Sequence, residues 1–406
     1  MRLLKSFTAC FFTLSLVFSL SAAETAEKKV TQSFESVTVA EIMQKMSLRD
    51  KICQLFVISP EYLNPQLLQK ERDLKKNIGL TELTQSEKSY YKRFPAGGFV
   101  IFAKNMIEPE QLAHLTEQLH SLTSAHITTP DISPITKPLI FIDEEGGKVA
   151  RIANNSNFDV PVFDNMYTIK DSDYARKIGE SIGEYLRTYD IDVDFAPVAD
   201  VNTNPENPVI GERAFSSNPL LAGKLAFSMY DGLTSQNVGG CLKHYPGHGD
   251  TKTDTHLGYA ETTKNWQQLL ECELLPFIYG INNSVTMIMT AHISAPAVTN
   301  DKTPASLSSY LIDQKLRTEL HYDGLIITDS LSMKAITSHY SSGEAAVQAF
   351  LAGNDFLLLP ENYEEAFSSI YMALKHGLIS ESRLNESVER IIRYKLNRVL
   401  KSDSEK

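Results

Sequence analysis

Cysteine is scarce in this 406-residue chain: Cys10, Cys53, Cys241 and Cys272 lie far apart, and none forms a Cys-x-x-Cys pair. That excludes a disulfide-stapled scaffold and a thiolate metal knot, so the fold must stand on its apolar core. A cationic excess is missing too. Lys and Arg number 39 against 50 Asp and Glu, a formal charge of −11, which argues against nucleic acid or an anionic membrane as partner and favours an uncharged or cationic ligand. No internal repeat, Pro-rich linker or low-complexity tract marks off a second domain. The phosphate-cradling Gly-x-Gly-x-x-Gly loop of a doubly wound sheet is also absent, since Phe56 to Tyr62 read FVISPEY after the first apolar run. What is present is 42% hydrophobic and 22% charged residues, the composition of a globular protein able to bury a large core.

The first residues carry Arg2 and Lys5, then an apolar run from Phe7 to Leu20, then the small residues Ser21-Ala22-Ala23. This pattern predicts a cleaved export signal over 1–23, too short and too rich in Ser and Thr for a membrane span. Cleavage would remove Arg2 and Lys5 and no acidic residue, taking the charge from −11 to −13. Cys10 stands at the start of the apolar run, not at its end where a lipid-modified cysteine belongs. The protein is therefore expected outside the cytoplasm, periplasmic or extracellular, with a polar stretch over 24–37 and the folded domain over 38–402.

Apolar, β-rich runs recur roughly every 30 to 50 residues with helical patterns between them, the layout of parallel strands joined by crossover helices. Eight can be counted: Gln54–Ser59, Gly97–Lys104, Pro138–Asp143, Val193–Asp200, Gly239–His244, Val285–His292, Gly324–Asp329 and Asp355–Pro360. Stretches such as LIFID, MIMTAH and LIITD are apolar almost throughout, as strands covered on both faces are. Helical periodicity runs through Pro109–Ala125, Ser172–Tyr189, Pro219–Ser235, Gly343–Ala352 and Ser382–Lys401. The prediction is an α/β fold, a single-domain (β/α)₈ TIM-type barrel, with residues 60–95 inserted as a solvated loop with one helix.

Such a barrel builds its active site from the C-terminal ends of its strands, and here those ends are polar. Strand three runs into Asp143-Glu144-Glu145-Gly146-Gly147, strand four into Asp200, strand five into Lys243-His244, strand six into His292 and strand seven into Asp329. The period of two puts Asp329 on the face of Leu325 and Ile327, toward the barrel interior. From there a carboxylate could attack an electrophilic carbon, although an Asp after a strand also serves as a helix cap.

The densest stretch of titratable side chains is KHYPGHGDTKTDTH, Lys243 to His256. His244, His248, Asp254 and His256 are all zinc-competent, but Pro246 and Gly247 prevent the helix on which an H-x₃-H spacing would serve a metal, and the first strand offers no HxH. No metal and no cofactor is expected. Two readings remain: a loop whose polar groups satisfy one another, or a proton-transfer pair in which Asp254 holds one ring nitrogen of His256 and leaves the other free.

That stretch closely resembles the signature of family 3 glycoside hydrolases, specifically the NagZ-like β-N-acetylglucosaminidases (β-hexosaminidases). MSLRDKICQLF, GGFVIFAKN, FIDEEGGKVARI, DFAPVADVNTNPENPVIGERAF, MIMTAHI and IITDSLSM resemble the family's blocks in the family's order, across nearly the whole chain past the export signal. The resemblance implies that Asp329 is the nucleophile and that Asp254 and His256 form the acid/base dyad. It implies that Asp143, Arg151, Arg213, Lys243 and His244 contact the sugar, whereas His248 supports the loop. One position departs from the family: Lys148 stands where arginine is usual, keeping the charge but not the planar fork.

The function implied is a retaining exo-β-N-acetylglucosaminidase acting on peptidoglycan-derived muropeptides, a small-molecule carbohydrate partner. Nucleic acid is not expected, and a membrane only through an uncleaved signal. The same family leaves open a β-N-acetylglucosaminide phosphorylase or a β-glucosidase. A binding protein that keeps the pocket without turnover is the rival of another class.

Overall fold

The structure, a computed structural model, describes residues 39–74, 76–122, 136–251 and 260–404. The expected export signal and polar N-terminal stretch lie outside the described residues, as do Asp254 and His256. The chain divides between Lys45 and Met46 into two units. Residues 39–45 are helical. Every strand among the described residues belongs to the unit that begins at Met46.

All eight expected strands form, seven of them shorter than the apolar run and the fifth reaching one residue past it, to Tyr245. They are β1 (Phe56–Ile58), β2 (Gly98–Val100), β3 (Leu139–Ile142), β4 (Val193–Asp194), β5 (Gly239–Gly240 and Leu242–Tyr245, interrupted at Cys241), β6 (Met287–Thr290), β7 (Leu325–Thr328) and β8 (Leu357–Leu358). One parallel sheet runs in the order β8-β1-β2-β3-β4-β5 and a second in the order β7-β6-β5. A parallel bridge from Ile327 to Phe356 brings β7 beside β8 and completes the ring. This is the TIM-like (β/α)₈ arrangement.

The strands read as continuous apolar runs because both of their faces are buried. Inside, the Phe141 ring stacks on Phe195 at 5.1 Å and meets Phe356 edge-on at 5.8 Å. Gly98 makes room for it, since a Cβ there would stand 2.5 Å from Phe141 Cε2. The runs over-extend the strands for a local reason. Pairing stops where the chain turns into the loops at the mouth, and in the fourth run Pro197 has no N–H to give to a ladder.

Helices cover the ring: α1 (Pro109–His120), α2 (Ser172–Thr188), α3 (Pro219–Ser235), α4 (Leu275–Asn282), α5 (Ser342–Ala352), α6 (Tyr363–Lys375) and α7 (Glu381–Ser404), with a π-helical stretch over Tyr310–Glu319. Their starts are capped by side chains placed for it: Asp171 accepts from the Tyr174 N–H, Asn218 from Leu221, Ser341 from Glu344 and Asn362 from Glu365. Among the described residues, no helix is long and apolar enough to cross a membrane.

The expectation for residues 60–95 is corrected. The segment holds a turn over Pro60–Leu63 and two helices, Pro65–Leu74 and Gln85–Arg93, and it is anchored from within. The Glu61 carboxylate, fully buried, accepts from the Leu80 N–H at 2.8 Å and Asn105 Nδ2 at 2.5 Å, with Lys104 Nζ 3.6 Å away. A solvated loop would leave those groups to water.

Candidate active site

At the C-terminal end of the barrel lies a cavity of about 670 Å³, of the size that takes a small-molecule ligand. Six of the predicted site residues line it: Asp143, Arg151, Arg213, Lys243, His244 and Asp329. They come from the ends of β3, β5 and β7, from the short hairpin after β3, and from the long loop after β4. In sequence Asp143 and Asp329 are far apart; ring closure brings them to one opening. Asp254 and His256, the other two, lie outside the described residues, so the structure gives no geometry for the dyad.

Asp329 directly follows β7. Its N–H donates to the Thr290 carbonyl at 2.8 Å, and its Oδ1 accepts from the Ser330 N–H at 2.7 Å. Burial by itself would raise its pKa. The imidazoles of His292 and His244, the Ser330 N–H and the Lys243 ammonium outweigh that effect and hold the carboxyl below the usual aspartate value. The group is thus an anion kept partly out of water and, among the described residues, not spent on a salt bridge, the condition a carboxylate nucleophile needs.

Facing it is a web of fixed charges. Lys243, 2% exposed, points its ammonium at Asp143 Oδ1 (2.8 Å) and Glu145 Oε1 (2.6 Å). Arg213 grips the same Glu145 with two prongs, Nε to Oε2 at 2.8 Å and Nη2 to Oε1 at 2.7 Å. Burial alone would raise the Glu145 pKa, but the two cations drive it well below the usual range; Lys243 is pushed up in turn by Asp143 and Glu145 against its own desolvation. Arg151 reaches Asp143 Oδ2 at 3.4 Å, and its Nε is buried with no partner among the described residues, a donor ready for a ligand.

His244 is held from behind. Asp200, fully buried, accepts from His244 Nδ1 at 2.7 Å and from the N–H groups of His244 and His248 at 3.2 and 2.6 Å. Burial works against the charge of Asp200, but the two imidazoles and the His248 N–H keep its pKa low. With Nδ1 engaged, His244 has Nε2 left for a ligand.

Three features were not in the expectations. Glu145 is the hub that Lys243 and Arg213 share. Its signal was its place two residues after Asp143, on the same side of an extended chain. Asp200 acts as the orienter of His244, not as a group at the cavity wall. His292, expected at the mouth, is fully buried, with Nδ1 against Ser306 Oγ at 2.7 Å and Nε2 against the Ser330 carbonyl at 2.8 Å; it braces the chain beyond Asp329. His248 hydrogen-bonds Thr251 and also lines the cavity. Lys148 does not line it: its ammonium is largely exposed and meets Glu212 at 2.8 Å. Among the described residues, no group of three or more His, Cys, Asp or Glu side chains is placed to hold a metal ion.

A closed parallel barrel that gathers its charged groups at the C-terminal ends of the strands has the layout of a barrel enzyme. Its sequence over residues 47–394 matches the glycosyl hydrolase family 3 N terminal domain, and the chain belongs to that family. A relative named Beta-hexosaminidase A, from Pseudoalteromonas piscicida, is 34% identical over 342 residues, 78% of this chain and 56% of its own length. A Beta-hexosaminidase from Nitrosomonas eutropha is 32% identical over 303 residues, 72% of this chain and 83% of its own. Among solved structures, a glycoside hydrolase family 3 beta-N-acetylglucosaminidase from Paenibacillus sp. superposes with a TM-score of 0.77 at 33% identity, covering 88% of this chain and 63% of that one. The chain thus spans a little over half the length of the first of these relatives.

Proposed function

We propose that this chain is a retaining exo-β-N-acetylglucosaminidase, a β-hexosaminidase that releases terminal β-linked N-acetylglucosamine from peptidoglycan-derived muropeptides outside the cytoplasm. The observation that carries the reading is Asp329: a carboxylate of lowered pKa, opening on the same cavity as Asp143, Arg151, Arg213, Lys243 and His244. The names of the relatives and the export pattern of the first 23 residues support it.

In this reading Asp329 attacks the anomeric carbon while His256, protonated, gives its proton to the leaving oxygen. The glycosyl ester on Asp329 is then hydrolysed by a water that His256 deprotonates, and the configuration is retained. Asp254 orients His256 and keeps it basic enough to carry the proton. Lys243, Arg151 and Asp143 bind the sugar hydroxyls. Because Lys243 is charged and already fixed by Asp143 and Glu145, an analogue lacking a hydroxyl leaves charged groups unpaired and is rejected.

Release of nitrophenolate from the 4-nitrophenyl N-acetyl-β-glucosaminide tests the activity. A 5-fluoro N-acetylglucosaminyl donor tests the nucleophile, with the label expected on the peptide that spans Asp329; a label elsewhere overturns the assignment. Comparing products in phosphate and phosphate-free buffer separates hydrolysis from phosphorolysis, and free N-acetylglucosamine in both is the expected result.

A further inference from the structure

Eight residues, 252–259, join Thr251 to Ala260 and include Asp254 and His256. The two flanks of this segment are anchored to different parts of the barrel. On the N-terminal side, Asn204 and Asn207 in the loop after β4 take hold: the Asn204 N–H donates to the Gly249 carbonyl, its Nδ2 to the Thr251 carbonyl, and Asn207 Nδ2 to the His248 carbonyl. On the C-terminal side, Ala260–Glu261 pair in parallel with Ile293–Ser294 after β6, and the Thr262 N–H donates to the Ser294 carbonyl at 3.0 Å.

A small charged cluster links one flank to the other. The Lys264 ammonium lies 3.6 Å from Asp250 Oδ2 and in closer contact with Glu273 Oε1. Thr262 Oγ1 donates to Asp250 Oδ2 at 3.1 Å. Glu273 is fully buried and lies against the N-terminal flank, where a Cβ on Gly247 would come 2.6 Å from Glu273 Cβ. Asp250 Oδ1 and Glu273 Oε2 are both buried without a hydrogen-bond partner among the described residues. Two carboxylates therefore stand at this junction with Lys264 as the cation between them. Without it, each would be left in a poorly solvated place beside another negative charge. Burial works against the Lys264 charge, but the Glu273 hydrogen bond and the two carboxylates outweigh it and raise its pKa.

We propose that Lys264, held between Asp250 and Glu273, is a positioning residue that fixes the separation of the two flanks and so places Asp254 and His256 for proton transfer. The inference rests on the reading of His256 as the acid/base.

A leaving group that needs no proton separates this role from general support of the fold. The probes are phenyl and 2,4-dinitrophenyl N-acetyl-β-glucosaminides, compared by kcat/KM, which reports the first displacement alone. For Lys264→Met, the phenyl glycoside should lose roughly 10- to 100-fold while the dinitrophenyl glycoside changes by less than about 3-fold, because only the first depends on a well-placed acid. Lys264→Arg should recover most of the loss. Glu273→Gln keeps the shape and removes one charge; it should show the same selectivity, smaller, and carries the test if Lys264→Met does not fold. Equal losses on both substrates, or none on either, would overturn the proposal. His256→Ala keeps the two failures apart. If it is selective for the phenyl glycoside and the Lys264 and Glu273 variants are not, only the positioning role falls. If it is itself unselective, the acid/base reading falls and takes the proposal with it.

Discussion

The two ends of the barrel both bury charge, and they use it in opposite ways. At the C-terminal end, Lys243, Arg213 and Glu145 satisfy one another, yet Asp329, Arg151 and Asp143 still border a cavity. At the N-terminal end, α7 lies against the strand starts and the buried charges are turned inward. Lys395 sends its ammonium to Gln54 Oε1, the Gly97 carbonyl and the Lys137 carbonyl, at 2.7 to 3.0 Å, just before β1, β2 and β3. Asp355, fully buried before β8, accepts from Arg317 at 2.6 Å, Ser387 at 2.5 Å and the Ile326 N–H at 3.0 Å. The same residue types thus make a ligand site where a partner is withheld and a lock where every partner is supplied. In a barrel, chemistry belongs to the first end and stability to the second.

The comparison breaks most sharply at Asp329. Asp329→Asn should lower kcat/KM on the nitrophenyl glycoside by more than about 10³-fold while leaving the urea midpoint near wild type. A variant as active as wild type would remove the distinction between the two ends. Because its pKa is held below the ordinary aspartate value, Asp329 should stay ionised through the mildly acid range, and kcat/KM should lose the nucleophile only at a pH below the one at which an ordinary aspartate protonates.

Asp355→Ala is the mirror experiment. It strands Arg317 in a largely buried place and should cost about 3 to 5 kcal/mol in urea denaturation, with turnover of the folded fraction unchanged. A large fall in kcat at unchanged stability would show that the N-terminal end takes part in the chemistry.

Lys395 sharpens the same contrast through pH. Burial depresses its pKa to about 7, with the Asp192 carboxylate pulling the other way. The unfolded chain then binds the extra proton between about pH 7 and pH 10, so stability should rise with pH across that window, and the cost of burying the ammonium is fully present below it. Relative to Lys395→Met, the wild type should gain about 3 kcal/mol between pH 7 and pH 9.5. A constant difference between the two would mean that the amine titrates normally. The smallest effect belongs to Lys148, whose exposed pair with Glu212 should be worth less than about 0.5 kcal/mol; Lys148→Ala should leave both activity and melting temperature where they were.

Much of the architecture was legible in the chain, and unevenly. The eight strands could be read because each is buried on both faces and therefore apolar without alternation, as in LIFI and LIIT. Their ends could not, because a ladder stops where its neighbour turns away, and that is a property of two strands, not one. Asp143, Lys243 and Asp329 could be read from their places at the ends of apolar runs and from family-like blocks. The bond from Glu145 to Arg213 could not, since 68 residues separate them and no local pattern announces the pair. Residues 60–95 misled for a related reason: their polar composition suggests solvent, but the Glu61 carboxylate is buried and its Oε1 accepts from Leu80 and Asn105 once the turn folds back.

The sequence by itself determined that this would be a parallel barrel and which residue types its mouth would carry, because hydrophobic period and strand-end polarity are local facts that survive being read one segment at a time. Only the tertiary structure decided which charges are spent and which remain available. Whether Lys243 neutralises Glu145, or Asp329 keeps its charge beside His292 and His244, depends on ring closure setting distances between residues far apart in the chain, and electrostatic energy in a poorly solvated place follows those distances.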